Sequence, residues 1–285
     1  MSAEFELCPR RAVGGDQPCF IIAEIGQNHQ GSMEIAKQMI RMAKMAVEFL
    51  HELNVPFFKV GSLDTNNFPY LEKAAKKGRP MVISSGMQSM ETMRKVYNTV
   101  KPINNKFCFL QCTSAYPLDP EDTHLRVITE YKKEFPDIPI GYSGHETGIA
   151  ISIAAVAMGA KVLERHVTMD KTWKGNDHQA SLEPCELQEL VRSIRIVEKA
   201  FGSPLKRLLP CEMACHNKLG KSVVAKVTIP AGTKLTLDMM TVKVAEPKGI
   251  EPDDIYKLVG KQVNTQINID ETITCDMIAN YNKKC

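Results

Sequence analysis

His145 and His166 each close a short apolar run, and two histidines ending neighbouring strands can share a divalent transition metal while leaving positions open for substrate and water. Histidines at strand ends can also simply hydrogen-bond there, so spacing alone leaves both readings open. Glu24 closes another apolar run, and Asp177 lies in the loop beyond His166; carboxylates so placed bind hydroxyls or move protons. Lys59 interrupts the otherwise apolar FFKVGS, where it points either outward or at an anion. Ser62, Ser84, Ser114 and Ser143 follow or end four such runs and could add hydroxyl and backbone donors to the same anion, which needs no P-loop. Any one serine is as readily a turn former, and it is the recurrence at four strand ends that favours a phosphate or carboxylate site. Lys174, Asp177 and His178 occupy a loop of the kind that carries substrate contacts, and Trp173, the single tryptophan, could as easily pin that loop.

The elements that must position these groups alternate from residue 19 onward. Strands are expected at 19–26, 56–62, 80–86, 106–114, 138–145 and 161–168, with helices beginning near Met33, Phe68, Glu91, Leu125, Gly148 and Pro184. KKGRP and FPDIP supply the glycine and prolines that end a helix before the next strand. Strands apolar on both faces and separated by helices imply a parallel sheet. Chemistry gathered from the C-terminal ends of many strands is the pattern of a TIM (β/α) barrel, whereas a dinucleotide fold would concentrate it at one switch point and normally carry GxGxxG, which is absent. The expected fold is therefore α/β, a barrel over residues 1–202, but with six strands where eight close such a barrel. After Gly202 the rhythm changes: 203–218 reads as a linker, and 219–283 as a small, mostly-β domain of short strands and Gly/Pro turns.

With 285 residues and a formal net charge of +3 from interspersed charges, the chain implies neither a nucleic-acid nor a membrane partner. No apolar run is long enough to span a bilayer, and MSAEFELCPRR lacks the apolar core of a secretion signal. Nine cysteines without a CxxC pair fit reduced thiols better than a metal or redox site, and a cytoplasmic location is expected.

AEIGQNHQG, FFKVGS, ISSGM, QCTSAYP, GYSGHETG, LERHVTMDKTWKGNDH and KLGKSVVAKVTIPAGT, in this order over nearly the whole chain, closely resemble the sialic acid synthase family. The resemblance implies a TIM barrel followed by an antifreeze-like (SAF) domain, and a domain-exchanged homodimer. It implies a transferase of sialic acid biosynthesis that condenses phosphoenolpyruvate with N-acetylmannosamine 6-phosphate, or with N-acetylmannosamine, giving N-acetylneuraminate 9-phosphate and phosphate. It further implies Mn²⁺ or Mg²⁺ held by His145 and His166, with Glu24 near the attacked carbons. Lys59, Ser62, Ser84, Ser114 and Ser143 would hold phosphoenolpyruvate; Asp64, Tyr116 and Asp177 would face the sugar; Lys221 would reach the N-acetyl group across the dimer.

Two departures from the family stand out. Leu63 occupies a glycine position, and leucine would be strained there if the turn required φ > 0. The second is IRMAKMAVEFLHEL, which reads as one unbroken helix from Ile40 to Leu53. Ala36, Met39, Ile40, Ala43, Val47 and Leu50 form one stripe, and Met42, Met45 and Phe49 widen the apolar surface beyond it. Relatives place two strands, a loop and a helix between the residues matching Lys44 and Met45, so the stretch reads as two helices joined end to end. The missing segment would carry a second phosphate-binding lysine and a glutamine. Strand number, tilt and shear are linked in a barrel, so its loss must open or re-pair the sheet. A catalytically impaired or inactive truncated isoform or retrocopy is the alternative to an active synthase.

Overall fold

The computed structural model describes residues 3–46 and 56–281, the side chains of 40–46 excepted. A hairpin that the alternation from residue 19 does not include opens the chain: β1 (Glu4–Cys8) pairs antiparallel with β2 (Arg11–Gly14). The alternating units follow as β3 (Phe20–Glu24), α1 (Met33–Ala46), β4 (Phe58–Val60), α2 (Phe68–Ala75), β5 (Met81–Ser84), α3 (Met90–Val100), β6 (Phe107–Cys112), α4 (Arg126–Glu134), β7 (Ile140–Gly144), α5 (Ala150–Ala157), β8 (Val162–His166) and α6 (Pro184–Ala200). Local chemistry sets the helix starts. The Asn67 side chain accepts the Tyr70 N–H ahead of α2, Ser89 Oγ accepts the Thr92 N–H at 3.2 Å ahead of α3, and Pro184 opens α6, whose Glu186 accepts the Glu183 N–H at 2.9 Å.

The six strands form one parallel sheet in the order β3-β8-β7-β6-β5-β4. Among the described residues no ladder joins β3 to β4, so these are the two edges and the barrel is open where two strands are missing. The two faces follow strand alternation. One set of residues, among them Ile21, Val60, Met81, Ile83, Phe107, Phe109, Ile140, Tyr142 and Leu163, packs into the large core with the helices. The other set, Val82, Cys108, Leu110 and Val162 with Phe20 and Ile22 against it, packs with Leu7 and Val13 of the hairpin. The hairpin thus covers the inner face of the curled sheet, and the inner positions nearest the C-terminal strand ends are the polar ones.

Helix α1 runs through Lys44 and Met45 without a break, as a seam joining two helices requires. Residues 47–53 and the side chains of Met42, Met45 and Phe49, on which the widened apolar surface rests, lie outside the described residues. Leu63 sits in a short 3-10 turn, Ser62–Asp64, with φ outside the left-handed region and its side chain 82% exposed. The expected strain at this position is therefore absent.

The chain divides into two compact units, Met1–Gly202 and Ser203–Cys285. In the second, the stretch read as a linker contains a short helix, α7 (Met213–Leu219). β9 (Lys221–Ala225) and β10 (Met240–Val244) then pair antiparallel, and α8 (Ile255–Leu258) is a single turn. Val223, Ala225, Ile229, Leu235, Leu258, Val263, Ile267 and Ile273 form this unit's own core. Seven described cysteines are free thiols, as expected, whereas Cys275 is disulfide-bonded and departs from that expectation. No helix among the described residues is long and apolar enough to cross a membrane.

Candidate active site

Strand alternation carries the inner face forward to the functional residues. Phe20 and Ile22 lead to Glu24, Val82 to Ser84, Cys108 and Leu110 to Cys112 and Ser114, and Val162 to Glu164 and His166. Lys59 lies between Phe58 and Val60 on β4, and its ammonium reaches Glu164 Oε1 of β8 at 3.1 Å. The two strands stand at positions six and two of the sheet order, so only a strongly curled sheet brings these side chains together. Sequence reasoning did not single out Glu164 as a site residue. The available signal was its shared parity with His166 and the need of an inward lysine for a carboxylate.

Glu24 and Glu164 share this space, and Glu24 Oε1 accepts the Gly26 N–H at 3.0 Å. Burial and then the Glu164 charge push the Glu24 carboxyl above its ordinary range, despite Lys59. Burial acts on Glu164 in the same direction, but Lys59 and the Ser143 hydroxyl outweigh it and hold this carboxyl below its ordinary range. Neighbouring carboxylates are thus pushed apart, one towards carrying a proton and one towards remaining charged.

His145 and His166 come together, their ring centroids 5.3 Å apart. The Tyr116 ring packs 4.1 Å from that of His145 and 5.9 Å, edge-on, from that of His166. Burial pushes the Tyr116 hydroxyl up to about 12, keeping it protonated. His145 Nδ1 lies 2.9 Å from the Thr113 carbonyl, which can only accept, so Nδ1 carries a proton and Nε2 is the nitrogen left for a ligand. Burial lowers the His166 pKa, holding that ring neutral, and its Nδ1 stands 3.9 Å from Asp177 Oδ2, too far for a hydrogen bond. Two imidazoles side by side, one of them anchored through a backbone carbonyl, suit cation binding. Among the described residues no three of His, Cys, Asp and Glu form a complete ligand cluster, so a cation would complete its coordination with water or substrate.

The serines gather on the same face. Ser62 Oγ accepts the Gly86 N–H at 3.1 Å and lies 3.7 Å from Cys112 Sγ, which in turn is 3.9 Å from His145 Nδ1. A Cβ at Gly86 would meet the hydroxyls of both Ser62 and Ser114, so glycine lets the two serines close on this point. Ser84 Oγ, Ser114 Oγ and His166 Nδ1 are buried without a hydrogen-bond partner among the described residues. Orphaned polar atoms clustered at one end of a sheet are what a site built for a polar ligand leaves behind.

The remaining expected residues are placed differently. Asp64 is exposed, beside Asn67 Nδ2 at 3.4 Å. His178 is buried and bound to Thr168 Oγ1 at 2.7 Å, with Trp173 edge-on at 5.8 Å, an arrangement that pins the loop. Lys221 is exposed at the start of β9, in the second unit.

The chain matches the NeuB family over residues 33–206 and the SAF domain over residues 220–279. It is 60% identical over 356 aligned positions to the N-acetylneuraminate-9-phosphate synthase of Homo sapiens, covering 100% of this chain and 99% of that protein. The protein of the same name from Drosophila melanogaster is 37% identical over 357 positions, with 92% and 96% covered. Among solved structures, the N-acetylneuraminic acid (sialic acid) synthetase of Leptospira borgpetersenii serovar Hardjo-bovis, in complex with citrate, superposes with a TM-score of 0.68 at 28% identity, covering 77% of this chain and 98% of that one. An alignment of 356 positions that spans a 285-residue chain and nearly all of its relative leaves part of that relative without counterpart, as a loss at Lys44–Met45 would. With its parallel (β/α) sheet, its polar strand ends and its SAF unit, this chain belongs to the NeuB family of sialic acid synthases.

Proposed function

We propose that the chain condenses phosphoenolpyruvate with N-acetylmannosamine 6-phosphate, or the free sugar, to give N-acetylneuraminate 9-phosphate and phosphate. The observation that carries this reading is the Lys59–Glu164 pair across the curl, with Glu24 beside it and three orphaned polar atoms on the same face. Lys59 offers charge to the phosphoenolpyruvate anion, and Ser62, Ser84, Ser114 and Ser143 offer hydroxyls around it. Asp64, Tyr116 and Asp177 face the sugar. Carbon 3 of the enol attacks the open-chain aldehyde, water adds at carbon 2, and phosphate leaves with the bridging oxygen. Glu24 takes up the proton of the added water, a role that suits a carboxyl raised towards the working pH.

His145 and His166 would hold a divalent cation, Mn²⁺ or Mg²⁺, which when bound supplies Lewis-acid polarisation of the aldehyde. The resemblance further supports a cytoplasmic homodimer in which Lys221 of one copy serves the barrel of the other. Against the impaired derivative stand the identity to the synthases and the strand-end groups that the shortened sheet still gathers. The test supplies purified full chain with both substrates and Mn²⁺ and measures phosphate, using phosphoenolpyruvate labelled with ¹⁸O at the bridging position. Labelled phosphate appearing only with the sugar present is expected. Binding of both substrates without turnover would sink the proposal in favour of the impaired derivative.

A further inference from the structure

Behind the two histidines, on the opposite face of the sheet, lies a second polar cluster. Arg165 directly precedes His166 and Glu146 directly follows His145, so each is displaced to the helix side as its neighbour turns inward. Arg165 and Glu146 are both buried. Arg165 Nη1 donates to Glu146 Oε1 at 3.1 Å, to the Gly148 carbonyl at 2.7 Å and to Ser152 Oγ at 2.9 Å; Nη2 donates to the carbonyls of Glu146 at 2.5 Å and Ala180 at 3.3 Å. Glu146 in turn accepts from the Tyr142 hydroxyl at 2.8 Å and from Ser152 at 2.7 Å. Gly144 lies within this cluster, where a Cβ would collide with the Glu146 carboxylate.

One guanidinium therefore ties together three segments, each carrying a residue of the site: the end of β7 with His145, β8 with His166, and the turn at 178–180 that follows Asp177. Stability alone does not call for such a device, because apolar residues of similar volume serve a buried position as well or better than an ion pair. We propose that Arg165 and Glu146 are positioning residues that fix the spacing of His145, His166 and Asp177 from behind the sheet. This rests on the reading of the histidines as cation-holding groups, and the experiment separates the two.

The test is Arg165→Met combined with Glu146→Leu, which removes both charges and keeps the volume. Expected are a melting temperature equal to or above the parent's, Mn²⁺ affinity of the substrate-free protein weakened about 10-fold by electron paramagnetic resonance, and shifted Cε1–H resonances of His145 and His166 in the metal-free protein. Parent-like Mn²⁺ affinity together with unmoved imidazole resonances would overturn the proposal. If the parent itself binds no Mn²⁺, the cation reading fails, and the imidazole resonances alone decide the positioning role. If the double variant does not fold, Tyr142→Phe removes only the bond to Glu146; a smaller shift of the same resonances is then expected, and none would refute it.

Discussion

Glu164 and Arg165 are consecutive and both buried, and each belongs to an ion pair, yet the two pairs are opposites. Lys59–Glu164 lies on the inner face, beside a second carboxylate and among hydroxyls without partners. Arg165–Glu146 lies on the outer face, inside a web of hydrogen bonds from Tyr142 and Ser152 and to three backbone carbonyls, with Arg165 Nε the one atom of this pair left without a partner among the described residues. An electrostatically incomplete pair has capacity left for a ligand, whereas a nearly satisfied one can only hold its surroundings in place. The difference arises from a single step along one strand.

The sharpest way to break the contrast is Arg165→Met alone, which leaves Glu146 charged and buried. Urea unfolding should show a loss of about 3–5 kcal/mol, largely recovered on adding Glu146→Leu. A small loss, or no recovery, would mean that the outer pair is not a closed unit. Lys59→Met should act mainly on catalysis, lowering phosphate release by about 10²–10³-fold, the usual effect of removing one donor to a developing charge. If it instead unfolded the protein with little change in specific activity, inner and outer pairs would be alike.

Acid and base behaviour sharpens the inner face further. The Glu24 pKa is raised, so its contribution to stability is full below its ordinary value of 4.5 and drains away as pH rises through the raised value. Glu164 is lowered, so its contribution is present above 4.5 and lost as pH falls through the lowered value. Unfolding followed from about pH 3 to 8 should therefore show Glu24→Gln removing the loss on the rising side and Glu164→Gln the loss on the falling side. Changes of the same sense in both variants would contradict the opposed environments. The smallest effect is expected away from both pairs: Leu63→Gly should cost up to about 1 kcal/mol through unfolded-chain entropy, since no left-handed φ is relieved. Stabilisation in a thermal melt would restore the strain reading.

Much of this was legible in the chain. The six strands of the parallel sheet and the six helices between and after them sit where alternation and Gly/Pro punctuation put them. The opening hairpin escaped notice because Phe5 and Leu7 alternate with Glu4 and Glu6 in a stretch too short to stand out. His178 read as a loop residue near the chemistry, and only its burial against Thr168 shows that it holds the loop.

What the sequence determined by itself is the parity of the site. Side chains alternate with period two whatever the rest of the molecule does, so Glu24, Lys59, Ser84, Ser143, Glu164 and His166 had one face assigned to them locally. Only the tertiary structure decided that this face is concave enough for a lysine of β4 to meet a glutamate of β8. Curvature is set by the packing of helices outside and the hairpin inside, neither of which any single strand encodes. Burial in that concavity then separated two chemically identical carboxyls, because desolvation and neighbouring charge act on groups that are far apart in the chain and adjacent only when folded.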